Sequence, residues 1–190
     1  MEDKEMNYVS DIGKIREQAR RRIEEGAVTE DYSLDKEQAV RILNEALATE
    51  IVCVLRYRYH YFMASGIHKY GAAEEFLQHS NEEQGHADLI AERIKQLGGK
   101  PQMNPSKLAE ASHAEYVEGS NLEEMLKEDL VAERIAIQSY REMIGYFGTK
   151  DPTTRRMLED ILAVEEEHAD DIADLLFRNG SDTLKQSASL

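Results

Sequence analysis

From about residue 35 to residue 178, apolar positions recur at alternating spacings of three and four, the period of an amphipathic helix. The pattern falls into four stretches. Ser33 followed by Lys36 and Glu37 marks a helix start, and the stretch runs without proline to Ser65-Gly66. A second stretch extends from about Lys69 to Leu97 and stops at Gly98-Gly99. Residues 100–120 hold two prolines and little periodicity, which predicts a long connection. Asn121 can cap a third helix reaching Phe147-Gly148. Asp151-Pro152 opens a fourth, proline being well suited to a first helical turn, and it ends before Asn179-Gly180. The predicted architecture is all-α: a four-helix bundle with short hairpin loops at 66–69 and 148–151 and one long crossover between helices two and three. Nothing in the pattern supports a sheet.

The ends differ from this frame. KIREQARRRIEE (14–25) can form a short helix, but its apolar face is thin (Ile15, Ala19, Ile23) and Gly26 stops it. The expected organisation is an N-terminal helical arm and linker over 1–34, the bundle over 35–178, and a polar tail over 179–190.

The core stripe of each helix is interrupted near its middle. Helix one reads Leu43, Ala46, Glu50, Cys53, Tyr57, and helix two reads Phe76, His79, Glu83, His86, Ile90. Helix three reads Leu126, Leu130, Glu133, Ile137, Tyr140, Ile144, Phe147, and helix four reads Ile161, Glu165, His168, Ile172, Leu175. A single glutamate or histidine in such a stripe is ordinarily a paired or satisfied core residue. Here the two halves repeat one layout. Glu83 follows Glu50 by 33 residues and Glu165 follows Glu133 by 32. Glu83 and Glu165 are each followed by histidine three positions on, and Glu50 and Glu133 by tyrosine seven positions on (Tyr57, Tyr140). Within NEEQGHADLI (81–90) the repeat selects Glu83 over Glu82, because the position matching Glu82 in the second half is Val164. Leu89 and Ile90 are then expected to continue the core beyond His86.

Four carboxylates in one apolar interior would repel and could not all stay charged. Two divalent cations cancel four negative charges, and one imidazole per cation completes an oxygen-rich shell suited to iron or manganese. A glutamate from each of two helices plus Glu-x-x-His from each of the other two is the arrangement already known from di-iron carboxylate bundles.

Composition fits the helical reading, with 41% hydrophobic and 32% charged residues but only 3 Pro and 11 Gly. The single Cys53 excludes an internal disulfide and an all-cysteine metal cluster, and reads best as a small buried hydrophobe. A net charge of -15 argues against a general nucleic-acid surface. With neither a membrane-length apolar run nor a signal-like N-terminus, a cytoplasmic location and no membrane partner are the expectation.

At its repeated residues the chain resembles bacterioferritin and the Dps-like proteins of the ferritin-like di-iron family. LNEALATEIV (43–52), NEEQGHAD (81–88), DLVAERIA (129–136) and AVEEEHADDI (163–172) carry the resemblance, which covers most of the chain. It implies a ferritin-like four-helix bundle with a di-iron ferroxidase centre of Glu50, Glu83, His86, Glu133, Glu165 and His168. That centre would hold two iron ions per subunit, with manganese or zinc as other occupants. Glu83 and Glu165 would bridge, Glu50 and Glu133 would be terminal, and Tyr57 stands where the family keeps a tyrosine near the metals. Haem is not expected, since Gln84 occupies the position where haem-binding bacterioferritins carry methionine. The short tail, lacking the apolar residues of a fifth helix, favours the smaller dodecameric cages over the 24-subunit ones. The lone Cys53 does not match Dps-like relatives that carry an adjacent cysteine pair.

The resemblance implies oxidation of Fe(II) by O2 or H2O2, for iron storage and protection from oxidative stress. For His79, four residues before Glu83, a packed or exposed side chain is favoured over an accessory metal ligand. For Tyr140 a satisfied core hydroxyl is favoured over a role at the metals. Another di-iron or di-manganese enzyme is one alternative, although a rubrerythrin-like peroxidase would bring cysteine pairs. A Dps-like DNA-protecting role is the other. It would rest on Lys14, Arg16 and Arg20–Arg22, but acids interleave at Glu17, Glu24 and Glu25, so a solvated face is the favoured reading.

Overall fold

The computed structural model describes residues 11–65 and 69–177, which leaves the predicted tail over 179–190 and most of the 66–69 hairpin outside the described residues. The described chain is all helical. After α1 (Ile12–Gln18) and a 3-10 turn (Ile23–Glu25) come α2 (Lys36–Met63), α3 (Lys69–Gln96), α4 (Pro105–Ala111), α5 (Leu122–Phe147) and α6 (Pro152–Phe177). Helix α2 packs along α3 and α5 along α6, and the two hairpins close on each other through α2 with α5 and α3 with α6.

Side chains near the predicted boundaries set the helix ends. The Asp35 carboxylate accepts from the backbone N–H groups of Glu37 (2.9 Å) and Gln38 (3.2 Å), so Asp35 rather than Ser33 caps α2. Asn121 accepts from Glu124 N, and the Glu124 carboxylate returns to Ser120 N, so donors on both sides of the cap are satisfied at the start of α5. Gly98 ends α3 with a positive φ of 81°. At Gly99 a Cβ would lie 2.6 Å from Val40 Cγ1, so only glycine lets the chain leave α3 this close to α2.

Asp151 opens α6 and ties three segments together. Its carboxylate accepts from Thr154 N (2.9 Å), through both oxygens from Arg93 Nη2 of α3 (2.9 and 3.0 Å), and from the Tyr32 hydroxyl (3.0 Å). Through Tyr32 and the buried Val28 the N-terminal linker is fastened to this end of the bundle.

Three expectations need correction. The arm helix ends at Gln18, and Arg22 takes a left-handed φ of 50°. Ile12, Ile15 and Ile23 stay exposed, so no burial sustains a longer helix. The crossover, expected to be irregular, contains α4, capped by Asn104 with Pro105 in its first turn. In α5 the buried face is turned relative to the predicted stripe. Leu130, Ile137 and Ile144 are only half-buried, while Asp129, Ala136 and Met143 are buried.

That turn brings Asp129 under the crossover. Asp129 accepts from Arg56 Nε and pairs with His60 Nδ1, both at 2.8 Å and all buried. Arg56 Nη1 donates to the Glu115 carbonyl, and His60 Nε2 faces the carbonyls of Val117 and Glu118. The crossover's backbone is thus held by a buried charge network instead of by apolar contacts alone.

Candidate metal centre

Two apolar clusters fill the bundle. One includes Leu43, Leu47, Ile90, Ile94, Phe147, Leu158 and Ile161; the other includes Cys53, Tyr57, Phe76, Met125, Leu126 and Ile172. A polar layer lies between them along each long helix. It consists of Glu50 from α2, Glu83 and His86 from α3, Glu133 from α5, and Glu165 and His168 from α6, all buried. Leu89 does not continue this layer's apolar surround, being 54% exposed, whereas Ile90 is fully buried.

The six side chains form two overlapping groups whose donor atoms lie within 4.8 Å of one another, Glu50-Glu83-His86-Glu165 and Glu83-Glu133-Glu165-His168. Glu83 and Glu165 belong to both. His86 Nδ1 stands 3.0 Å from Glu165 Oε1 and 3.3 Å from Glu50 Oε2. His168 Nδ1 stands 3.6, 3.7 and 3.9 Å from oxygens of Glu83, Glu165 and Glu133. Yet Glu50 Oε2, Glu83 Oε1, Glu165 Oε1 and both imidazole Nδ1 atoms make no hydrogen bond. These buried donor atoms are thus close together yet left without a hydrogen-bond partner, as a set of cation ligands would be. A buried carboxylate is tolerated when it is paired or coordinates a cation, and this donor set fits two divalent cations of the iron or manganese type.

The outer atoms of the layer are hydrogen-bonded. The Tyr57 hydroxyl of α2 donates to Glu133 Oε1 of α5, and the Tyr140 hydroxyl of α5 donates to Glu50 Oε1 of α2. Each repeated tyrosine thus serves the other half's glutamate and leaves its second oxygen facing the layer. The Tyr140 hydroxyl is a satisfied core hydroxyl, as expected, and the group that satisfies it is Glu50 of the layer. Glu82 was set aside in favour of Glu83, but it has its own contact: its Oε2 is 2.8 Å from His168 Nε2. With Nε2 engaged by that carboxylate, Nδ1 is the nitrogen presented to the layer. The repeat could not show this, because Glu82 serves the histidine of the opposite half. His79 packs against the centre without a hydrogen bond, stacked on the His168 ring at 3.9 Å and edge-on to Tyr57 at 5.3 Å.

Without a cation, the layer holds protons to limit repulsion. Burial, and then Glu83, push the Glu50 carboxyl up to about 8. Burial and the charges of Glu83 and Glu165 hold Glu133 well above the usual carboxylate range. Burial would lower His86, but Glu165, Glu50 and Glu83 outweigh it and raise the imidazole to about 12. Burial likewise opposes charge on His168, and Glu165 and Glu83 raise it to about 11. The Tyr57 and Tyr140 hydroxyls are pushed up by burial and by the carboxylates they serve, and so remain donors.

Comparison with known proteins gives the same architecture. The ferritin-like domain family matches residues 40–178. The nutrient stress-induced DNA-binding protein of Synechococcus is 35% identical over 137 residues, 70% of this chain and 78% of that protein. Among solved structures, the dodecameric thioferritin of Bacteroides fragilis, a bacterioferritin-related protein, superposes with a TM-score of 0.75 at 32% identity, over 83% of this chain and 92% of that one. A ferritin-like di-iron carboxylate protein of Bacillus anthracis superposes with a TM-score of 0.67 at 29% identity, over 76% of this chain and 99% of that one.

Proposed function

The chain belongs to the ferritin-like family, with bacterioferritin-related and Dps-type relatives, and on that footing we propose that it is a ferroxidase. The observation that carries this reading is the pair of overlapping donor groups sharing Glu83 and Glu165. The substrate is Fe(II), taken two ions at a time. Each ion gives one electron to the acceptor, so O2 leaves as H2O2, or H2O2 as water, with two protons consumed. Glu83 and Glu165 would bridge the two ions, with Glu50 and His86 on one side and Glu133 and His168 on the other. Tyr57 and Tyr140 hold the terminal carboxylates in place, and Glu82 fixes the tautomer of His168. The protons held on Glu50 and Glu133 leave when Fe(II) binds, so uptake releases protons to solvent.

We place this activity in iron storage and oxidative-stress protection, within a cytoplasmic homo-oligomeric cage. The dodecameric assembly of the Bacteroides fragilis protein supports a cage of twelve chains. DNA protection, suggested by the name of the Synechococcus protein, is the weaker reading. Arg21 pairs with Glu17 and Glu30, and Arg22 with Glu25, so much of the basic run is neutralised within the arm.

The test is Fe(II) oxidation in air and with H2O2, for the parent and for Glu83→Ala and Glu133→Ala. The parent should oxidise Fe(II) far faster than protein-free buffer and both variants should lose that advantage. A parent no faster than buffer with either oxidant would refute the reading.

A further inference from the structure

Among the described residues, the buried histidine outside the centre that no hydrogen bond accounts for is His79. Its side chain is fully buried, and neither ring nitrogen has a hydrogen-bond partner. A buried imidazole left in this state is costly unless something outside the polypeptide satisfies it. Its Nε2 lies 3.6 Å from Glu75 Oε2 of α3 and 3.8 Å from Asp171 Oδ2 of α6. The three donor atoms lie within 4.8 Å of one another. Among the described residues no lysine or arginine pairs with either acid. Burial and neighbouring acids, Asp171 for Glu75 and Glu167 for Asp171, hold both carboxyls above their usual range.

We propose that Glu75, His79 and Asp171 form a second, outer site for a first-row divalent cation, where α3 faces α6. Two half-exposed carboxylates supply charge and access from solvent. The buried imidazole supplies the nitrogen that Fe(II), Co(II) or Zn(II) takes readily and Mg(II) or Ca(II) does not. The site also has a direction. Behind His79 lie the stacked His168 ring and Glu82, and His79, Glu82 and His168 place donor atoms within 4.8 Å of one another. A cation held at the outer site is therefore one step from the donors of the buried centre. Its role as a staging point for Fe(II) rests on the ferroxidase reading, whereas its ability to bind a cation does not.

The experiment is a Co(II) titration of the assembled protein, followed by visible absorption and by bound cobalt after desalting. The parent is compared with Glu75→Gln, Asp171→Asn and the double variant. Both acids are partly exposed and their amides have the same shape, so the fold should hold, and cobalt retained at the buried centre reports that it does. The expected result is a loss of about one Co(II) per chain in the double variant, with Asp171→Asn alone weakening the same site. Oxidation at limiting Fe(II) should slow several-fold in these variants. Unchanged cobalt content in the double variant at saturating cobalt would overturn the proposal. Loss of that cobalt alongside a parent unable to oxidise Fe(II) would support the outer site and refute the ferroxidase reading.

Discussion

Glu50 and Glu133 each give one carboxylate oxygen to a tyrosine hydroxyl and keep the other for the polar layer. The crossing matters because each of these carboxylates is held from the opposite helix hairpin. Tyr140→Phe leaves Glu50 Oε1 buried without a donor, which should cost about 1–3 kcal/mol in the cation-free protein. Thermal unfolding checks this, and added Co(II) should recover only part of the loss. Glu82 acts at one further remove. Glu82→Leu removes the carboxylate that orients His168 and should weaken cation binding about 10–100-fold, with Glu82→Gln retaining more of the affinity. A competition titration against a chelator reads both variants. These roles were only partly legible in sequence. The doubled Glu, Glu-x-x-His and Tyr spacings singled out the layer, because a chemical constraint on four helices repeats. The partners that support it, Glu82 and the exchanged tyrosines, are set by how the hairpins face each other, which spacing along one helix does not record.

At the level of elements, the four long helices were readable because uninterrupted 3–4 periodicity between proline and glycine stops leaves few alternatives. The rotation of α5 was not, since Leu130 and Ile137 look as core-like as Ala132 and Ala136. What turns the helix is buried charge: Asp129 must reach Arg56 and His60 beneath the crossover. Asp129→Ala would strand the buried Arg56 guanidinium. It should cost about 3–5 kcal/mol in unfolding free energy, and an Arg56→Leu/Asp129→Leu pair should cost less than the sum of its singles. Denaturant unfolding of the four proteins checks the coupling. The short helix α4 was missed because seven residues show too little of any period to separate helix from loop.

For the whole molecule, the centre sets a dependence on pH. A raised imidazole contributes stability that is complete below its ordinary pKa and lost as pH climbs toward the raised value. For His86 and His168 those values are about 12 and about 11. A raised carboxyl costs stability as pH climbs from its ordinary value, and Glu50 rises to about 8. Glu83 is lowered by its contacts with Glu50, His168 and His86 despite burial, so its contribution is lost only below the ordinary carboxylate range. The cation-free protein should therefore melt at progressively lower temperature between about pH 6 and about pH 9. Divalent cations need the donors deprotonated, so added Co(II) should stabilise more at the upper end of that window than at the lower. Large apolar side chains left exposed on the long helices, among them Leu55, Phe62, Leu89 and Val131, would be covered by neighbouring subunits in the proposed cage. Light scattering should then give a particle of about twelve chains, like the dodecameric Bacteroides fragilis relative. The central claim is that two Fe(II) ions are oxidised together between Glu83 and Glu165. Its most direct test is to load the protein with graded Fe(II) without oxidant, mix it with O2 or H2O2, and record the fast phase of oxidation. The amplitude should rise linearly and break at about two Fe(II) per chain. A break at one, or a phase no faster than in buffer with either oxidant, would contradict it.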